Sequence, residues 1–352
     1  MRILVLSTPV APLGSGLGGG VELKVKNVAR EMTRRGHIVQ VVAPENSFLP
    51  DVSIITIAGN SQTPAQTLTR DTPICLPGNA VLANMWHYAH TVQGDYDLIV
   101  SFAFDWLPFY LTSFFQCPIA HFISMGSLTD ALDQIMGQVA TNFPGTVGVN
   151  TKAQAATFPF ADKCRCVGSG IDFSLYQFQA KPGDSLAWIG RISPEKALED
   201  AVAAAQITGM TLKIFGKMQD KAYWQQILQD YPQAPLDYRG FVVTEQLQQE
   251  LGECSALLMT HRWVEAFGNV AIEALACGVP VITYNRGGPA EIVKDGDNGF
   301  LVESDSVQGL VAAIKSINRI DRYACRKGVE ELYSLEAFGD RFEAWFQDIV
   351  HS

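Results

Sequence analysis

The apolar positions of this chain fall into short continuous runs, separated by stretches in which they recur every three or four residues. Runs at 3–6, 38–43, 98–102, 119–123, 147–150 and 164–167 read as buried strands, and runs at 186–189, 212–216, 238–242, 257–260 and 281–283 extend the pattern. Between them Val21, Val25, Val28, Ala29 and Met32 have helical spacing, and 81–91, 153–158, 198–207, 306–317 and 334–350 read as further helices. Strand, helix and strand open the chain, which predicts a parallel sheet. The second half repeats this architecture without an evident sequence repeat, so the expectation is an α/β protein built from two Rossmann-like, doubly wound domains.

Breaker residues divide the pattern. Residues 7–20 form a long loop with two prolines and five glycines, residues 60–78 are rich in Ser, Thr, Pro and Gln, and 179–184, containing Pro182-Gly183, marks the domain boundary. With 352 residues the chain exceeds the usual size of a single core. The strand end at 102–110 carries Phe102, Phe104, Asp105, Trp106, Phe109 and Tyr110, where open α/β sheets place ligands. Two readings stay open there: core packing, or a platform on which a flat heteroaromatic acceptor stacks.

Charge and cysteine usage narrow the classes. A formal charge of −10 argues against nucleic-acid binding and against a basic membrane-binding surface, leaving small molecules as the expected partners. Lys24, Lys26, Arg30, Arg34 and Arg35 share one helix and read as its solvated outer face, so membrane association is not expected. No apolar run is long enough to span a bilayer, and the first residues lack the pattern of a signal peptide. Seven scattered cysteines, without paired zinc-type spacing, read as reduced structural thiols of a cytoplasmic protein.

The chemistry concentrates in residues 261–302. A loop bearing Glu265 leads through Phe267-Gly268-Asn269 into a short apolar helix that bears Glu273 and stops at Gly278. The first amides of such a helix favour an anion, by their free N–H groups and by the dipole. Upstream, Gly190-Arg191 and Lys196 follow the strand at 186–189, where an Arg and a Lys would clamp a diphosphate as a divalent metal does elsewhere. Gly14-x-Gly16-x-x-Gly19 nominally matches a dinucleotide fingerprint, but six residues including Pro9 and Pro12 separate it from its strand. Asp95-Tyr96-Asp97 and Asp295-Gly296-Asp297 are poor metal triplets, since the first precedes a core strand and the second lies in a turn. No obligatory metal and no cofactor are expected.

Glu265 and Glu273, with seven residues between them, and the Gly287-Gly288-Pro289-Ala290-Glu291 that follows, resemble the Glu-x7-Glu pattern of retaining nucleotide-sugar glycosyltransferases, glycosyltransferase family 4. Gly19-Gly20-Val21-Glu22, Gly170-Ile171-Asp172 and Gly190-Arg191 with Lys196 resemble further elements of that family. The resemblance implies the GT-B fold, two Rossmann-like domains facing a deep cleft. It divides the chain into an acceptor domain at 1–180, a nucleotide-sugar domain at 181–330 and a terminal helix at 331–352 that crosses back.

Glu265, Arg191 and Lys196 are then the catalytic set. Gly19 and Gly20 close over donor phosphate and acceptor, Phe267, Gly268 and Asn269 hold sugar and diphosphate, Glu273 holds the ribose, and Gly240-Phe241-Val242 reads the base. Family members often place a histidine near the position of Ser124. This chain has His121, three residues early and on the opposite pleat phase, so an acceptor-side role and a satisfied core histidine both stay open. Phe104, Asp105, Trp106, His121 and Ser124 are the acceptor-side candidates.

The stretches STPVAPLGSGLGGGVEL, SFAFDWLPFYL, AHFISMGSL and AQAATFPF resemble the cyanobacterial members that glucosylate tetrahydrobiopterin, which implies UDP-glucose as donor and a pterin side chain as acceptor. A polysaccharide or glycolipid acceptor is the alternative within the family. Outside it stand a nicotinamide-dependent oxidoreductase, disfavoured by the glycine spacing, and a binding-only regulator, disfavoured by the presence of Glu265, Arg191 and Lys196.

Overall fold

The apolar runs pair as two separate parallel sheets. The computed structural model describes residues 1–15, 19–63, 65 and 69–352. Its backbone divides into two units, residues 1–170 together with 335–352, and residues 171–334.

In the first unit β1 (Arg2–Leu6), β2 (Ile38–Pro44), β3 (Ile54–Ile57), β4 (Leu98–Ser101), β5 (Ile119–Phe122), β6 (Val147–Val149) and β7 (Arg165–Cys166) form one sheet in the order β3-β2-β1-β4-β5-β6-β7. Adjacent strands run parallel, with Leu6 opposite Ser101 at the ends of β1 and β4. The order reverses between these two strands, which places their C-terminal loops at a topological switch point. The connecting helices are α1 (Gly19–Arg34), α2 (Val81–Val92), α3 (Trp106–Leu111), α4 (Asp130–Asn142) and α5 (Lys152–Ala155).

The second unit holds β8 (Ser185–Ile189), β9 (Thr211–Phe215), β10 (Leu236–Gly240), β11 (Ala256–Met259), β12 (Val281–Tyr284) and β13 (Gly299–Val302), in the order β10-β9-β8-β11-β12-β13 and again parallel. Here the switch point lies between β8 and β11. Its helices are α6 (Leu198–Thr208), α7 (Lys221–Asp230), α8 (Thr244–Gly252), α9 (Asn269–Ala276), α10 (Pro289–Ile292), α11 (Val307–Ser316) and α12 (Arg322–Tyr333). The last helix, α13 (Leu335–Val350), belongs to the first unit and buries Phe338, Phe342, Trp345 and Phe346 in its core.

Several elements lie outside the sequence expectation. The four residues of β3 are mostly half-exposed, and α7 buries only Ile227 of its ten residues, so neither writes a strong apolar pattern. The basic face of α1 needs a correction. Lys24 is 5% exposed; its ammonium donates to the side-chain carbonyl of Asn150 and, at 2.9 Å, to the carbonyl of Gly168, and lies 4.3 Å above the Phe122 ring. Burial first, then the charge of Arg341, lowers its pKa well below the ordinary lysine range. Arg35 is also engaged, by Glu343 and Asp340 of α13 at 2.8 Å each. Only part of that face is solvated.

The two acidic triplets do local work. Asp97 accepts from the Arg2 amide at 2.7 Å and Asp295 from the Leu301 amide at 2.9 Å. Among the described residues no group of three or more His, Cys, Asp or Glu side chains is gathered as a metal site, none of the seven cysteines forms a disulfide, and no helix is long and apolar enough to cross a membrane.

The seating of α13 depends on a small residue in β6. A Cβ on Gly148 would stand 2.5 and 2.7 Å from two ring carbons of Trp345, which is 1% exposed and donates from its indole to Gly145 at 2.7 Å. Because that ring is hemmed in, Gly148→Ala is expected to destabilise the chain by about 1–3 kcal/mol through overpacking. A lowered midpoint in urea unfolding would show it; an unchanged midpoint would mean the ring can shift.

Candidate functional site

The second unit's switch point gathers three of the sequence candidates on two loops. The loop after β8 leaves through Gly190, which the backbone approaches closely: a Cβ on Gly216 would stand 1.8 Å from the Gly190 carbonyl oxygen. Arg191 follows, 40% exposed at its side chain, donating to Gln219 at 2.8 Å and pairing with Glu195 at 3.3 Å. A single 3-10 turn at Pro194–Lys196 then ends on Ala197, a fully buried alanine in the left-handed region at φ 45° and ψ 52°. That conformation costs an L-residue about 1–2 kcal/mol, so neighbouring contacts must hold it. Thr260, just past β11, donates to the Ala197 carbonyl at 2.7 Å and accepts from Trp188 at 3.2 Å, while the Arg262 amide donates to the Glu195 carbonyl at 2.9 Å.

This knitting of the two loops delivers Lys196 to Glu265. The ammonium lies 2.5 Å from Oε2 of Glu265, and the Trp263 indole donates to the same oxygen at 2.9 Å. The ammonium also sits 4.8 Å from the centre of the Trp263 ring. Burial acts to raise the Glu265 pKa, but the charge and hydrogen bond of Lys196, with smaller help from His261 and Trp263, hold it below the ordinary carboxylate range. The Glu265 carboxylate is therefore favoured in its charged form, with Oε2 engaged by Lys196 and Trp263.

Behind it, the glycine pair after β12 fits against the loop backbone. The Gly288 amide donates to the Glu265 carbonyl at 2.7 Å. A Cβ on Gly287 would stand 2.7 Å from the Glu265 nitrogen, and one on Gly288 would stand 2.5 Å from the Phe267 Cα. His261 and Arg286 brace the same loop: the His261 Nε2–H donates to the Arg286 carbonyl at 3.0 Å, and Arg286 reaches the Arg262 carbonyl at 3.0 Å and Asp305 at 2.8 Å.

The helix that follows starts where the sequence predicts. Gly268, at φ 93°, is the N-cap residue of α9 and offers no side-chain cap; a Cβ there would stand 2.6 Å from Pro289. Phe267 is buried with its ring 5.6 Å from Tyr333, and Asn269 opens the helix. Glu273 lies one turn further on, half-buried and without a hydrogen-bond donor from the described residues. Burial pushes its pKa up to about 7. At the end of β10, Gly240 at φ 72° gives way to Phe241, 63% exposed beneath the Lys217 ammonium at 5.0 Å, and to half-buried Val242.

In the first unit, Gly19 and Gly20 open α1 and are exposed; Gly16 of the nominal fingerprint lies outside the described residues. Phe104, Asp105 and Trp106 follow β4 and are half-buried, with Trp106 stacked on Tyr110 at 4.6 Å. Asp105 caps α3 through the Leu107 amide at 3.4 Å. Half-buried Ser124 sits between the Ile123 and Met125 carbonyls, both of which accept from Gln154 at 2.8 Å. Of the two readings open for His121, an acceptor-side role and a satisfied core histidine, its surroundings favour the second. His121 is 1% exposed, bonded to Thr112 at 2.8 Å and stacked on Phe109 at 4.4 Å, and burial drives its pKa down to about 3.

Sequence reasoning named Glu265, Lys196 and Arg191 but missed Trp263, Thr260 and Ala197. Trp263 carried a signal, an aromatic two residues before a candidate carboxylate. The Ala197 conformation carried none.

The shift on Glu273 gives a testable pH dependence. Its proton is held to a higher pH in the folded chain than in the unfolded one, so its burial costs nothing below about pH 4 and progressively destabilises the fold as pH rises towards 7. Glu273→Gln is therefore expected to raise stability at pH 8 by on the order of 1–2 kcal/mol and to leave it nearly unchanged at pH 4. Unfolding midpoints at the two pH values measure the difference, and an equal effect at both would contradict the assignment.

Residues 179–327 match the family model of glycosyl transferases group 1. Over 167 residues the chain is 30% identical to glycogen synthase of Mycobacterium tuberculosis, covering 43% of this chain and only 39% of that protein. D-inositol 3-phosphate glycosyltransferase of Mycobacteroides abscessus is 27% identical over 89% of this chain and 81% of its own length. Among solved structures, sucrose-phosphate synthase of Thermosynechococcus elongatus superposes with a TM-score of 0.81 at 19% identity, covering 100% of this chain and 99% of that one. HepE of Anabaena in complex with UDP and glucose superposes at 0.77 and 18% identity, covering 99% and 100%. The fold of the chain is thus GT-B, and the stretch that matches the glycosyl transferases group 1 model, residues 179–327, lies within its second unit, residues 171–334.

Proposed function

We propose that this protein is a retaining hexosyltransferase that moves glucose from UDP-glucose to a hydroxyl group, and that its acceptor is the side chain of tetrahydrobiopterin, giving a pteridine α-glucoside. The observation that carries the transferase reading is the Lys196–Glu265 pair at the switch point of the second unit. An ammonium has three donors, so Lys196 can keep Glu265 and still meet a phosphate oxygen, with Arg191 on the same loop and the uncapped start of α9 completing an anion site. Glu265 then faces the sugar, Glu273 takes the ribose hydroxyls that would supply its missing donors, and the exposed Phe241 lies where the base stacks.

In the reaction the bond from the anomeric carbon to the diphosphate oxygen breaks as the acceptor oxygen bonds to that carbon from the same face. The acceptor proton passes to the departing phosphate. No side chain need become a covalent nucleophile, and stabilisation of the leaving diphosphate by fixed cations supplies much of the rate. This route uses neither a metal nor a cofactor, and it fits a cytoplasmic location. The acceptor assignment rests on the resemblance of the 7–23, 101–111, 120–128 and 153–160 stretches and on the flat, half-buried rings of Phe104 and Trp106. A polysaccharide or glycolipid acceptor is the competing reading, favoured by the ladder of half-buried Trp106 and exposed Tyr110 and Phe114, which would also suit sugar rings.

Product analysis with a panel of nucleotide sugars and acceptors tests this. UDP-glucose is expected to raise the melting temperature where NAD does not, and glucose to appear on tetrahydrobiopterin with no loss of activity on chelation; activity that vanishes on chelation and returns only with Mn²⁺ or Mg²⁺ would overturn the metal-free route. Transfer to simple sugars or lipids alone would reject the pterin; stabilisation by NAD alone would reject the class. Glu265→Ala should lower kcat by roughly 100-fold or more with a small change in donor KM, whereas Glu273→Ala should mainly raise donor KM. Small, equal effects of both would mean that the roles are wrong.

A further inference from the structure

The first unit has its own switch point, between β1 and β4, and it carries a pair that the donor chemistry does not use. Asp105 follows β4. Gln62 is brought to it from the loop beyond β3, anchored by its amide on the Pro9 carbonyl at 3.2 Å, in the loop that follows β1. The Gln62 side chain donates from Nε2 to Oδ2 of Asp105 at 2.8 Å. A carboxylate only accepts, so the amide nitrogen must face it and the carbonyl end is left over. That Oε1 is buried and has no partner among the described residues, on a residue 8% exposed.

Helix capping does not account for this arrangement. The cap on α3 uses Oδ1 alone and is long, at 3.4 Å. No cation among the described residues pairs with Asp105. Burial raises its pKa, against the bonds from Gln62 and the Leu107 and Trp106 amides, so the carboxylate is poorly compensated. The site thus offers two acceptors from adjoining side chains, one of them orphaned, and Asp105 is flanked in sequence by the half-buried Phe104 and Trp106. An orphaned buried acceptor is costly, and a ligand bringing two donors would relieve both groups.

We propose that Asp105 and Gln62 form the specificity subsite for a planar heterocycle that presents two adjacent donors, a ring N–H beside an exocyclic amino group, as on a 2-amino-4-oxopyrimidine ring. The proposal rests on the reading that the first unit takes the acceptor, and it deepens that reading by naming the edge that is recognised. A sugar diol fits less well, because each hydroxyl also brings lone pairs to a site made of acceptors. Gln62 is outside every sequence motif discussed above, and its role is to read the ligand, not to move a proton.

Fluorescence titration of the full chain with biopterin, and with its lumazine counterpart in which a carbonyl replaces the 2-amino group, tests the subsite without requiring turnover. Wild-type protein is expected to prefer the amino compound by roughly tenfold or more, since the carbonyl would face two acceptors. Asp105→Asn and Gln62→Leu are each expected to bring that preference to within about twofold while UDP-glucose affinity stays unchanged. The ratio within one preparation is insensitive to a misfolded fraction. No preference in the wild type, or a preference retained in both variants, overturns the subsite even if glucose is transferred to tetrahydrobiopterin. A preference lost in the variants, without transfer in the wild type, sustains the subsite and overturns the proposed acceptor reaction instead.

Discussion

The second unit depends on one juxtaposition, the ammonium of Lys196 against the carboxylate of Glu265 across the point where the strand order reverses. Burial opposes ionisation of Glu265, and the nearby cation outweighs it, so that removing Lys196 leaves the Glu265 charge to bear its desolvation cost largely uncompensated. The pair is held by backbone, not by side-chain reach. The left-handed Ala197 turns the chain so that Lys196 faces the neighbouring loop, and Thr260 and the Arg262 amide lock that turn in place. Strain of this kind persists only where surrounding contacts over-determine it.

The glycines after β12 serve the same constraint from behind. Gly287 and Gly288 let one loop lie directly on the backbone of another, and the Gly288 amide fixes the Glu265 carbonyl while its side chain stays directed to Lys196 and Trp263. A motif that in sequence looks like punctuation is a contact surface between the two loops. Gly268 works alike against Pro289, so the start of α9, the Glu265 loop and the glycine pair form one rigid block.

How much of this was legible follows from where each signal resides. The central strands are buried on both faces and write continuous apolar runs, so most were found within one or two residues. The edge strand β3 and the polar helices α7 and α8 bury few side chains each, and nothing local marks them. Glu265, Lys196 and Gly268 were visible because their roles are tied to spacing along the chain. Thr260 and Ala197 were not, since their importance arises from partners some 60 residues away. Lys24 was misread for the same reason. Helical spacing placed it beside other cations, yet the carbonyls of Asn150 and Gly168 that receive it come from the ends of β6 and β7. His121 likewise looked displaced from a functional position when it is a core residue between Phe109 and Trp86.

The two switch points use one backbone device for opposite chemistry. Each brings a carboxylate from the strand after the reversal to a side chain supplied from the other flank. In the second unit that side chain is a cation beside an uncapped helix start, and the combination suits a polyanion bearing hydroxyls. In the first it is a neutral amide, and no cation among the described residues pairs with the carboxylate, so an anionic ligand would meet acceptors and be disfavoured. If the second unit takes the donor and the first the acceptor, as proposed above, the sorting of a charged ligand from an uncharged one lies in the partner each carboxylate is given. A cation beside Asp105 would blur that distinction more than the loss of any aromatic ring around it, because apolar stacking tolerates many ligands whereas an unmatched buried charge rejects nearly all of them.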